Sequence, residues 1–563
     1  MKKLFILFAL CGLTLSAMAV PAKRVTQIVR QSDGTELAIQ LRGDETFHYY
    51  VTLDGTPVCK NAKGDWVPDT RNVVAMHRAA LTRRNHQRMQ LHEHMQKAMR
   101  AVRPPFRAGE VTTKRGLLIL VNFKDKKMVF GDRSHEKFDQ MLNAIGNPYG
   151  DNYGSIREYF RDQSYGDFDI QFDVVGPVTL SKNMEYYGED VEGEEGWDMH
   201  AGEMVAEACR LVNSQVNFAD YDWDGDGEVE NIYITYAGYA QSAGAPANTI
   251  WPHQWNLSDE GNYGEALTLD GVTIDTYACG SELYGISGFK LDGVGTMCHE
   301  YSHCLGFPDF YDTNGVAIGM SVWSVLDAGC YGGDGYCPSG YTAYERMYAG
   351  WLTPVELKSA TMVKGMKPIE NNAEAYIIYN DKNRNEYYML ANHQLVGWDS
   401  ESYGHGMMVL HVDYDKDIWF NNEVNTVVSH QRMTIIPADG NFSDQATYYD
   451  ELVEKLAGDL WPGNKNNSAL TDDTKPAATL YNRNTDGKKL MHKPITDISE
   501  TDGLISFNFM KGVDDAISNV QLDSPSRQTV FDLMGHQVVN GESVNGELRR
   551  GVYIVGGKKV FVK

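Results

Sequence analysis

Two histidines and a glutamate, His299, Glu300 and His303, stand in the stretch Gly295-Thr-Met-Cys-His-Glu-Tyr-Ser-His-Cys-Leu-Gly-Phe-Pro-Asp309. On a helix, residues four apart lie one turn apart on the same face, so both imidazoles can reach one metal ion. Glu300 adjoins the first histidine, where its carboxylate can serve as a general base towards water instead of binding metal. Gly306 can take the left-handed conformation that ends a helix at little cost. The chain can then bring Asp309 back beneath the ion as a third ligand. Three protein ligands leave one coordination place open, the arrangement of a catalytic zinc site and not of a structural one. The chemistry this predicts is hydrolysis by activated water. A helix with two surface histidines is the bland alternative, and it leaves Gly306 and Asp309 without a reason.

A second cluster of oxygen ligands lies upstream, in Asp220-Tyr-Asp222-Trp-Asp224-Gly-Asp226-Gly-Glu228-Val-Glu230. Counted from Asp222, carboxylates fall at positions one, three and five with a glycine at six, like the start of an EF-hand loop. Tyr233 occupies position twelve, where that loop carries a bidentate glutamate. Asp222, Asp224, Asp226 and Glu228 are therefore candidate calcium ligands, against a solvated acidic turn as the alternative.

The elements that must position these groups can be read from the apolar pattern. From Gly116 the chain runs Leu-Leu-Ile-Leu-Val-Asn-Phe, a continuous apolar stretch expected of a strand buried on both faces. Strand and helix signals then alternate to about Pro354, and short β-type segments follow, among them Ala375-Tyr-Ile-Ile-Tyr and Met407-Met-Val-Leu-His-Val-Asp. The organisation expected is a signal peptide (1–19), a propeptide with a helical connector (20–111) and a catalytic domain (112–356). A β-rich domain (357–511) and a small C-terminal β-sandwich module (512–563) complete it. The basic stretch from Arg107 to Arg115 is the expected exposed junction for processing.

Lys2 and Lys3 precede an apolar run from Leu4 to Leu15 and then Ser-Ala-Met-Ala19, the pattern of a signal cut after Ala19. The run is too short to span a bilayer, and no later segment has the roughly 20 apolar residues a span needs. Export and a secreted or outer-surface location are thus expected. Export permits disulfides among the seven cysteines that follow the signal. Their pairing does not follow from spacing, and buried free thiols are the alternative. Cys59 could also act as a thiolate ligand that keeps the precursor latent. The net charge of −25 and a pI near 5.0 argue against nucleic acid as a partner.

The wording of the metal segment, His299-Glu-Tyr-Ser-His-Cys-Leu-Gly-Phe-Pro-Asp-Phe-Tyr-Asp312, resembles the metzincin-type M6, or immune inhibitor A, family of zinc peptidases. The resemblance extends to Asp151–Asp167, to Ile250-Trp-Pro-His-Gln-Trp, to Gly404–Asp413 and to Asp459-Leu-Trp-Pro-Gly463. It implies an α+β zincin-like catalytic domain, with a twisted mixed sheet and an active-site helix, acting as a secreted endopeptidase on proteins or peptides. It also implies Zn2+ on His299, His303 and Asp309, Glu300 as base, and Glu230 as a Ca2+ ligand. Metzincins place a methionine turn under the metal. The matching segment here, Gly319–Gly329, has Leu326 at that position, with Met320 as the alternative. Tyr331, Tyr336 and Tyr341 are the candidate donors to a developing oxyanion. The last residues resemble the terminal β-module of secreted Bacteroidetes proteins, which implies association with a secretion machinery or the cell surface. The rival reading is an inactive zincin-like surface protein whose β-modules bind protein or glycan; the intact Glu300 argues against it.

Overall fold

The computed structural model describes residues 20–510, apart from 24–25, 74, 77–78, 80–111, 192–193, 260 and 444–448, together with short strands between 530 and 562. The expected signal peptide and nearly all of the expected helical connector fall outside the described residues.

Residues 27–68 form a five-stranded antiparallel sheet in sequence order, from Gln27–Arg30 to Trp66–Pro68. The central sheet is mixed, with the strand order His253–Asn256, Thr276–Leu283, Ile232–Tyr239, Thr112–Asn122, Phe168–Thr179. Four of these strands run parallel, and His253–Asn256 is an antiparallel edge. Leu117 to Val121 are fully buried, as their unbroken apolar run predicts for a strand covered on both faces. Helices Ile156–Gln163, Ala201–Val212 and Val294–Cys304 pack with this sheet. The first opens with a capping box: Ser155 accepts from the Glu158 amide while Glu158 reaches back to Ser155.

Arg115, the far end of the expected junction, is exposed but held in a strand, whereas 107–111 lie outside the described residues. It sits inside the strand Thr112–Asn122, opposite Gln171, and its guanidinium is 2.8 Å from Asp173. A cut there would break a sheet strand.

Beyond position 356 the chain is β-rich. A five-stranded sheet includes Tyr376–Tyr379, Glu386–His393 and Gly406–Asp413, and a three-stranded sheet joins Thr361–Met366, Leu504–Phe509 and Ile495–Thr501. The core does not divide at 356. Ile377, Met389, Leu410 and Met433 belong to the same buried cluster as the central sheet and the helix Val294–Cys304. Residues 512–563 are a separate unit, whose described strands form one four-stranded antiparallel sheet. Mixed α/β architecture with several sheets and few helices is therefore the observed class.

Candidate metal centre and cleft

The helix Val294–Cys304 is buried along its whole length, against the sheet on one side and the loop Ala328–Gly335 on another. Gly295 makes the second contact possible, because a Cβ there would stand 1.9 Å from the Cys330 carbonyl oxygen. Past the helix, Gly306 at φ +97° reverses the chain in the region that glycine alone enters freely.

That reversal brings the expected ligands together. His299 Nε2 and His303 Nε2 are 3.0 Å apart, and Asp309 Oδ1 is 3.2 Å from each. All three side chains, and Glu300, are fully buried. Each imidazole is held by its other nitrogen: Nδ1 of His299 lies 2.7 Å from the Val325 carbonyl, and Nδ1 of His303 2.9 Å from the Phe307 carbonyl. Those carbonyls can only accept, so each Nδ1 carries the proton and each Nε2 presents a lone pair. Two lone pairs and a carboxylate oxygen converging at this distance, away from water, repel one another unless a cation lies among them. Zinc bound at about 2.0–2.1 Å from nitrogen suits such spacing. The donor set therefore fits zinc.

The electrostatics agree with this. Burial holds His299 below its ordinary range, against the opposing pull of Asp309. Burial would raise Asp309, but the two histidines outweigh it and draw its carboxyl down to about 2. Burial pushes Glu300 well above the usual carboxylate range, only partly offset by the hydrogen bond it accepts from Val20 N–H.

Asn422 is a site residue that sequence reasoning did not find. Its Nδ2 donates to Asp309 Oδ2 at 2.6 Å, and its Oδ1 accepts from the Asp309 amide at 2.6 Å. This clasp orients the third ligand from 113 positions downstream, beyond the expected domain boundary. Beneath the centre, the segment carrying Val325 forms the floor. Leu326 and Met320 are both fully buried there, Leu326 O accepting from the Phe310 amide and Met320 N donating to the Phe310 carbonyl.

The cleft itself is occupied by the chain's own segment Val20–Lys23. Val20 is fully buried, its nitrogen 2.8 Å from Glu300 Oε1 and its carbonyl accepting from Trp251 Nε1 at 3.1 Å. Tyr331 donates its hydroxyl to the Pro21 carbonyl at 2.7 Å. Tyr336 and Tyr341 point elsewhere, to the Leu291 carbonyl and the Ser302 hydroxyl. Of the three candidate tyrosines, Tyr331 alone hydrogen-bonds the peptide in the cleft. Cys59 is not there. It lies in the strand Pro57–Lys60, paired with Val67, and all seven described cysteines are free thiols. Latency through a Cys59 ligand and disulfide bracing of the metal helix are thus both corrected.

The acidic loop comes together only in part. Oxygens of Asp222, Asp224 and Glu230 lie within 4.8 Å of one another, whereas Asp226 and Glu228 are outside this group. Asp226 Oδ1 accepts from the Glu228 amide at 3.0 Å, a bond internal to the turn. Burial pushes Glu230 up to about 8.

Two histidines and an aspartate converging beside a buried glutamate, next to a mixed sheet, are an arrangement suited to a metallopeptidase domain, and known proteins resemble this chain in the same region. Residues 105–351 match the family described as immune inhibitor A peptidase M6, catalytic domain. Over 281 residues the chain is 25% identical to the pre-pro-metalloprotease PrtV of Vibrio cholerae serotype O1, covering 43% of this chain and 30% of that protein. Over 308 residues it is 24% identical to immune inhibitor A of Bacillus thuringiensis subsp. alesti, covering 46% and 43%. The chain spans less than half the length of these relatives. The likeness to the M6 metallopeptidase family thus lies in residues 105–351.

Proposed function

We propose that this protein is a zinc-dependent endopeptidase that hydrolyses peptide bonds in proteins. The observation that carries this reading is the convergence of His299 Nε2, His303 Nε2 and Asp309 Oδ1 at 3.0–3.2 Å beside the buried carboxylate of Glu300. Zinc held by these three residues supplies Lewis acidity, lowering the pKa of water and polarising a peptide carbonyl. Glu300 takes the proton of the attacking water and returns it to the departing amine. Tyr331, already donating to a backbone carbonyl in the cleft, hydrogen-bonds the substrate. Val325, Phe307 and Asn422 fix the ligands by their second hydrogen bonds.

Residues 20–111 act as a propeptide in this reading, supported by the burial of Val20 against Glu300. Cleavage of a signal peptide after Ala19 would make the Val20 nitrogen a free amine at that carboxylate. The protein is then exported in a latent form and awaits removal of its amino-terminal part. A cation at Asp222, Asp224 and Glu230 is supported by their proximity, and calcium is the hard cation that suits three carboxylates. Casein hydrolysis before and after processing, with and without a zinc chelator, tests the activity. Loss with chelator and return with zinc supports it; hydrolysis indifferent to the chelator excludes it.

A further inference from the structure

The propeptide places a charged side chain where burial should oppose it. Lys23 follows Val20 by three residues, its side chain only 14% exposed. Its ammonium donates to the Tyr284 hydroxyl at 2.9 Å, lies 3.8 Å from Asp334 Oδ1 and stands 4.1 Å from the centre of the Tyr284 ring. The Tyr331 ring is 5.5 Å away. The Tyr284 hydroxyl in turn donates to Asp334 at 2.6 Å, so the walls are tied to each other as well as to the cation. Asp292, at the foot of the active-site helix, adds a second negative charge felt by Lys23, and Thr296 fixes it by a 3.0 Å hydrogen bond. A cavity of about 390 Å³ adjoins the ammonium, lined by Lys23, Tyr331, Asp334, Trp398, Glu401 and others.

These walls belong to the catalytic domain, not to the propeptide. An ammonium withdrawn from water costs several kcal/mol unless charges and aromatic faces replace its hydration. Two carboxylates and two tyrosines offset part of that cost here, with burial still the larger influence on Lys23, and they stay behind when the amino-terminal segment departs. An emptied slot of this kind favours another cation and rejects an anion.

Its place along the cleft follows from Val20. The Val20 nitrogen sits at Glu300, the group that hands a proton to the departing amine, so the residues after Val20 trace the course of a substrate's carboxyl-terminal half. Three residues at about 3.3–3.6 Å each put the slot roughly 10 Å along that course.

We propose that Tyr284, Tyr331, Asp292 and Asp334 form a specificity subsite for a lysine or arginine at the fourth residue beyond the cleaved bond, and that Lys23 is its built-in occupant. This rests on the peptidase reading above.

Two measurements separate the subsite from that reading. The first uses the metal-stripped full-length chain and follows hydrogen exchange of the Ala22 and Lys23 amides, which donate to the Gly43 and Ser242 carbonyls. Lys23→Glu should speed this exchange by about tenfold or more, and Asp334→Lys added to it should restore most of the protection. The second uses the full-length protein after proteolytic activation, with peptides that differ only at the fourth residue after the cleaved bond. Lysine and arginine should exceed glutamate by about tenfold in kcat/KM, and Asp334→Lys should invert the order. Independent effects of the two substitutions on exchange, or a peptide series flat to within about twofold, would overturn the subsite while leaving the peptidase intact. Coupled exchange with no peptide cleaved at all would overturn the peptidase reading and the subsite with it.

Discussion

The backbone nitrogen of Val20 lies 2.8 Å from Oε1 of Glu300, and both residues are fully buried. The other oxygen of that carboxylate, Oε2, is buried without a hydrogen-bond partner among the described residues. An amino-terminal segment therefore covers the group to which the proposed reaction assigns proton transfer, and it closes that group off from solvent. Five consequences can be measured.

Val20→Asp puts a carboxylate in place of a fully buried apolar side chain, where the cost of withdrawing the charge from water opposes docking of the segment. The unprocessed chain should then lose its latency, with casein hydrolysis rising by about tenfold or more. An unprocessed variant as silent as the parent chain would show that the cover does not depend on the apolar burial of Val20.

Glu300→Gln removes the base and keeps the shape. Bound zinc should stay at one per chain while hydrolysis by the processed protein falls by about 10²-fold to 10⁴-fold, the usual contribution of a positioned acid–base group. Parental activity in this variant would remove Glu300 from its role.

Asn422→Ala should loosen Asp309 without touching a ligand. Outer partners of metal ligands typically matter by about 10–100-fold in metal affinity. A competitive chelator titration that gives the same zinc affinity for variant and parent would refute the clasp.

Free thiols predict indifference to reduction. Dithiothreitol should leave the melting temperature unchanged, and Cys59→Ala should be as latent as the parent. A marked drop on reduction would point to bridges after all.

Asp459 gives a pH signature away from the metal. It is almost fully buried, and its carboxyl is pushed up to about 8 by burial, with Trp323 Nε1 donating to it at 2.9 Å. Its folded-state pKa thus exceeds the ordinary value of 3.8, and the folded chain holds the proton more tightly. The stability this contributes is complete below about pH 4 and is lost as pH rises towards 8. Asp459→Asn, which keeps the acceptor for Trp323, should flatten that part of the curve in thermal melts between pH 5 and 8. A slope identical to the parent's would sink this assignment.

Much of this site was legible in the sequence because its geometry is local. A four-residue spacing fixes two imidazoles on one helical face, and one glycine fixes where the helix ends. The buried strand beginning at Gly116 was equally plain, since a strand covered on both faces leaves an unbroken apolar run. What stayed hidden depends on distant contacts. Asn422 reaches Asp309 across 113 residues, and Val20 reaches Glu300 across 280. No period or motif encodes such pairings. In the acidic loop, alternating carboxylates suggested five ligands; Asp222, Asp224 and Glu230 come within reach of one another, while Asp226 accepts from the Glu228 amide within the turn. Arg115 reads as a basic linker residue, while strand pairing and Asp173 hold it in the sheet.

The most direct test is metal analysis of the purified full-length chain beside His303→Ala and Asp309→Ala. The account predicts close to one zinc per parent chain and a large loss in each variant, with folding otherwise kept. A folded parent without stoichiometric zinc, or variants that retain it, would contradict the claim that these side chains hold the ion.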